Sequence, residues 1–377
     1  MNVIARLVRF FLLQGRIRHY RHCPLAVATL IGVLGGCAST PSPTVDDSDP
    51  LIMVPVSQTS TRDARGEFRN LFCRLLDARS AGDRETADCE QYLVRLSDEP
   101  EEPMFAVSLE PSRATITVIF IAGFASDCVD QARQAKTQYK DYLARFGYHF
   151  ETLRVSGTSS SQSNAQQIRD ALDQLPELGR NRNAVIIAHS KGVVDTLEAL
   201  VTYPELQDRI AALISLAGAV GGSPLADLAP DAMLTIMQNT PGLQCEDGDA
   251  GALTSLSPQV RRNWLAENPL PEHVPLYSVV GLPAPDRISR GLKASYHLLS
   301  DIDPRNDGNL IYYDQVIPGS TLLGYVNADH WAISTDLGAS PYALVRALAD
   351  KSEFPREVLL EAALRFVELD LTNGTDD

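Results

Sequence analysis

From residue 114 onward, short apolar or alternating runs are interleaved with stretches in which apolar residues recur every three or four positions. The runs ATITVIFIAGF (114–124), HFETLRVS (149–156), NAVIIA (183–188), IAALISLAGA (210–219), PLYSVVGL (275–282) and TLLGYV (321–326) predict strands. CVDQARQAKTQYKDYLARFGY (128–148, with Gly147 as its stop), NAQQIRDALDQL (164–175), GVVDTLEALVTY (192–203), YALVRALAD (342–350) and REVLLEAALRFVEL (356–369) predict helices. Continuous apolar strands separated by helices imply an α/β domain over 111–377, a mostly parallel, doubly wound sheet covered on both faces. Between 224 and 274 the order lapses into loop and helix fragments, which read as a cap insertion. Upstream, Ala64–Ala78 and Arg84–Leu96 predict two helices, forming an N-terminal helical appendage over 62–110.

Composition changes the picture mainly at the N-terminus. Residues 1–36 join a basic stretch ending in RIRHYRH to the apolar run PLAVATLIGVLGG, too short to span a bilayer and suited to a secretory signal. The run ends at Leu34-Gly35-Gly36-Cys37, which resembles the lipobox of bacterial lipoproteins. That resemblance implies lipidation of Cys37 and, with Ala38 next, an outer-membrane lipoprotein of the cell envelope. A tether rich in Ser, Thr, Pro and Asp follows over 37–61. Net charge is −15, and loss of the five signal arginines would take it to −20. Such a surface repels nucleic acid, so no nucleic-acid partner is expected.

Export also changes how cysteines read. Cys73, Cys89, Cys128 and Cys245 remain, an even number suited to disulfides in an oxidising compartment. Four cysteines allow three connectivities, and the sequence does not choose among them. Cys73 with Cys89, within one helical hairpin, and Cys128 with Cys245 is the expected set; free buried thiols are the alternative. No Cys/His spacing suggests a zinc site.

The chemistry centres on Ser190, in AHSKG, where an apolar strand breaks abruptly into a helix. A sharp strand-to-helix turn demands small residues two positions to either side, here Ala188 and Gly192. This resembles the nucleophile elbow of the α/β-hydrolase fold, with alanine in the first glycine position. His330, in NADHWAI, follows a predicted strand late in the chain, where the family's Ser-Asp-His order requires the base. His189 is expected to point away from the serine, and His149, His273 and His297 precede any suitable acid. Asp307, in Asn306-Asp307-Gly308, resembles the acid-bearing turn of bacterial lipases; Asp301, Asp303 and Asp314 are competitors.

The resemblance also implies an oxyanion hole from the Phe124 and Lys191 backbone N–H groups. Ala122 stands where lipases usually carry histidine. GGSPLAD (221–227) looks like the Gly-Ser-x-x-Ala-Asp segment of triacylglycerol lipases, without the usual Thr-Pro-His before it. The Lys191 side chain is expected to be solvated or paired with a carboxylate. Met233, Leu234, Met237 and Trp264 are candidate apolar lining from the cap. Lipases of this kind sometimes bind a structural calcium near the histidine loop, where Asp329 could serve, but no metal or other cofactor is expected.

Together these readings imply a lipid-anchored serine hydrolase of carboxylic esters, with an acyl-ester or lipid substrate and a membrane reached through its anchor. The rivals are an acyltransferase or thioesterase using the same triad, and a catalytically silent envelope scaffold.

Overall fold

Each long strand divides its apolar side chains between two helical layers, which explains why the strands read as unbroken apolar runs. In the computed structural model, which describes residues 61–80, 88–96, 99–101, 109–114, 116–128, 130–175, 183–228 and 248–373, Val118, Phe120, Val185 and Ile187 enter one core cluster. Ile119, Ile121, Ile186 and Ala188 enter the opposite one. Residues 1–60, with the signal, Cys37 and most of the tether, lie outside the described residues, as do Met233, Leu234, Met237 and Cys245.

The strands are β1 (Arg62–Asp63), β2 (Leu93–Val94), β3 (Thr117–Ile121), β4 (His149–Leu153), β5 (Ala184–His189), β6 (Ile210–Leu216), β7 (Leu276–Gly281) and β8 (Thr321–Val326). They form one sheet in the order β1-β8-β7-β6-β5-β3-β4, with β2 also on β8. Every pairing is parallel except β2 with β8. The helices are α1 (Arg65–Ser80), α2 (Gln131–Ala144), α3 (Ser161–Asp173), α4 (Lys191–Thr202), α5 (Leu225–Leu228), α6 (Ala252–Ser255), α7 (Pro258–Glu267), α8 (Lys293–Ser300), α9 (Ala343–Leu348) and α10 (Arg356–Asn373). Helices α1, α2 and α10 cover one face, where Phe366 packs edge-on against Phe68 and Tyr277. Helices α3 and α4 cover the other. Among the described residues no helix is long and apolar enough to cross a membrane.

Three local expectations are corrected. The stretch expected to be helical through Leu96 is instead, from Asp88, a single 3-10 turn (Cys89–Gln91) followed by β2, which pairs with β8. Arg69 draws it there by donating to the Leu93 and Val94 carbonyls, and a disulfide from Cys73 pins Cys89. The expected pair of cysteines is therefore joined, but the second is not on a helix. Through β1 and β2 this N-terminal segment covers what would otherwise be the open edge of β8. The expected helix at 128 begins at Gln131, because Ala125 and Asp130 take left-handed backbone (φ 56° and 52°) and Ala125 N–H donates to Gly157 O. Helix α3 starts earlier than its apolar pattern, at Ser161, because Ser160 caps it by accepting from Ser163 N–H.

Candidate active site

Strand β5 is buried along its whole length and ends in a turn that no ordinary residue prefers. Ser190 sits at φ 56°, ψ −125°, before α4 begins at Lys191. The turn survives because neighbouring backbones crowd it from both sides. A Cβ on Gly192 would lie 2.7 Å from the carbonyl oxygens of Ile121 and Ala122. A Cβ on Gly123 would lie 2.7 Å from Ser190 Cβ and 3.0 Å from Lys191 N. Strain of this kind costs about 1–3 kcal/mol and persists only where packing over-determines it. Here it lifts the hydroxyl off the carboxyl end of the sheet.

That hydroxyl meets His330, with Ser190 Oγ 2.8 Å from His330 Nε2, while His330 Nδ1 lies 2.7 Å from Asp307 Oδ2. All three residues are buried. Asp307 occupies a turn built to hold a carboxylate. Its Oδ1 accepts from the Asn309 and Leu310 N–H groups, its carbonyl accepts from His330 N–H, and Gly308 (φ +94°) makes the reversal. With carboxylate oxygen on Nδ1, that nitrogen carries the proton and donates, leaving Nε2 free to accept from the serine hydroxyl. Of the competing acids, Asp301 is exposed, Asp303 pairs with Arg305, and Asp314 lies against Gly221.

The loop after β3 presses Gly123 on the elbow and brings Phe124 beside it. Neither Phe124 N–H nor Lys191 N–H donates to a backbone carbonyl among the described residues. The Phe124 ring packs on Val194, Ala219, Ala226, Leu256 and Leu310, an apolar cluster that joins the elbow helix to the turn of the acid. GGSPLAD meets that turn as well, with Ser223 Oγ donating to Asn309 O.

No family model matches the chain, and no curated protein does. Among solved structures it is similar to a metagenomic carboxyl esterase, at 36% identity and a TM-score of 0.77, over 86% of this chain and 97% of that one. The chain belongs to the carboxyl esterases of the α/β-hydrolase fold. More distant likenesses are a Bacillus licheniformis lipase in mature form (20% identity, TM-score 0.46, 60% of this chain and 89% of that one) and EstA from Clostridium botulinum (11%, 0.49, 80% and 96%).

Four readings of the hydrolase's side chains are revised or sharpened by the structure. Lys191 is fully buried rather than solvated, with Nζ donating to Asp195 Oδ1 at 2.7 Å, and Asn164 Nδ2 donating to Asp195 Oδ2. The acid four residues along the same helix was the overlooked signal. His189, expected to point away from the serine, carries its ring 4.8 Å from that of His330, centroid to centroid. Trp264 is not cap lining; it stacks under Arg261 and packs on the core beside α4. Finally, both carboxylate oxygens of Asp329 are taken by backbone, from Trp331 and Ala332 N–H on one and Ser289 N–H on the other. Burial raises that carboxyl above its ordinary range, and its oxygens fix the histidine loop instead of presenting a cation site.

Proposed function

We propose that this hydrolase cleaves carboxylic esters through Ser190, His330 and Asp307 by way of an acyl-enzyme. Ser190 Oγ attacks the acyl carbon as His330 Nε2 takes its proton, and the oxyanion accepts from Phe124 and Lys191 N–H. The imidazolium then protonates the leaving alcohol. Water, deprotonated by the same nitrogen, attacks the acyl-enzyme and releases the acid. Asp307 holds the His330 tautomer and stabilises the imidazolium. The observation carrying this reading is the unbroken relay of 2.8 and 2.7 Å contacts in a buried site. The apolar cluster around Phe124 supports an acyl chain as the group bound beside it. The lipobox resemblance at Cys37 supports an envelope membrane as the place where such esters are met.

The test is labelling by a fluorophosphonate probe together with turnover of short- and long-chain nitrophenyl esters. Wild type should label and turn over, and Ser190→Ala should do neither, with a loss of about 10⁶ in kcat. Absence of labelling in wild type would leave a silent scaffold. Preferential acyl transfer to an added alcohol or thiol over water would leave a transferase.

A further inference from the structure

We infer that His189 is a positioning residue, which sets the place of the general base through the backbone of His330. The inference rests on the ester-hydrolase reading of the site. His189 is 4% exposed, and its Nε2 lies 2.8 Å from the carbonyl oxygen of His330. A carbonyl only accepts, so Nε2 carries the proton and donates. Its Nδ1 is then bare, and it finds no partner among the described residues. Burial first, and the adjacent His330 second, hold this ring well below the ordinary imidazole range, so it stays neutral beside the base. An apolar side chain would fill the same space without an orphaned nitrogen, which costs free energy when buried. What the imidazole adds is the one bond to residue 330.

That bond completes a four-point fix. Residue 330 is held at its N–H by Asp307 O, at Nδ1 by Asp307 Oδ2, at Nε2 by Ser190 Oγ, and at its carbonyl by His189. The first two supports come from the acid turn. The other two come from consecutive residues at the end of β5, so the strand that presents the nucleophile also places the base. Without His189, the carbonyl side of the loop loses its tie to the elbow, and the proton-accepting nitrogen is free to drift from the serine. Misplacement of reacting atoms by about 1 Å costs on the order of 100-fold.

The experiment compares wild type with His189→Phe, His189→Asn and His189→Gln in the full chain. Phenylalanine keeps a ring without a donor, asparagine places its amide too short of the carbonyl, and glutamine reaches it. Folding is followed by circular dichroism, and ester kinetics are joined by the low-field proton resonance of His330 Nδ1. The expected result is a fall in kcat of about 10- to 100-fold for Phe and Asn with KM within about 2-fold, near-wild-type kcat for Gln, and a broadened or shifted resonance only in Phe and Asn. Wild-type kcat and resonance in Phe or Asn would overturn the inference, as would Gln being as impaired as either. Should Phe not fold, Asn against Gln decides. Wild type inactive on esters, yet showing the same pattern of resonances, would sink the ester reading and leave the positioning role standing.

Discussion

Removing the Asp195 carboxylate should strand a buried ammonium directly after the nucleophile. Lys191 is 0% exposed, and Asp195 Oδ1 at 2.7 Å is its hydrogen-bond acceptor. Truncating one partner of a buried ion pair costs about 3–5 kcal/mol, whereas replacing both with apolar residues of similar volume is close to neutral. Asp195→Ala should therefore melt roughly 5–9 °C below wild type at pH 7, using about 2.1 cal/mol/K of unfolding entropy per residue over the ordered chain. The Lys191→Met/Asp195→Leu double variant should recover most of the loss. Differential scanning calorimetry of the three proteins at pH 7 is the assay. A melting point for Asp195→Ala within 1 °C of wild type at pH 7, or a double variant no better than that single, would show the ammonium is not held as described.

Three further outcomes follow from particular contacts. Asp314 has its carboxyl raised by burial to about 7, with Arg262 opposing, so the fold is most stable where the unfolded chain is also protonated and loses stability as pH rises from about 4 to 7. Asp314→Asn should gain on the order of 2–4 kcal/mol at pH 8 and little at pH 4.5; equal melting shifts at both would contradict this. Gly123→Ala puts a Cβ 2.7 Å from Ser190 Cβ and 2.9 Å from His189 O, so the oxyanion loop must back away from the elbow. Its fluorophosphonate labelling rate should fall by about 10²-fold or more in a folded protein, and an unchanged rate would refute the close approach. Cys73 and Cys89 close a loop with a sequence separation of 16 residues. Replacing both by serine should cost about 3 kcal/mol, read as a lower denaturation midpoint that reductant lowers no further through this bond.

The sequence by itself determined the strands from β3 onward, the helices that follow β3, β4, β5 and β8, and the three residues that meet at the candidate site. The reason is that those signals are local. Apolar runs and small residues around Ser190 follow from covering both faces of a sheet and from crowding at one turn, and the Asn-Asp-Gly turn builds its own carboxylate cradle. What only the tertiary structure decided are partnerships across the chain. Residues 93–94 read as helical by periodicity, yet edge pairing with β8 and the Arg69 contacts outweigh so weak a local preference. His189 lies 141 positions from the carbonyl it supports, and Trp264, which looked like a pocket wall, is claimed by Arg261 and the core. Asp329 could be read as a ligand until the loop closed its own N–H groups around it. A short pattern records what a residue's neighbours require, whereas the partner of a buried polar atom is fixed only when distant segments fold against it.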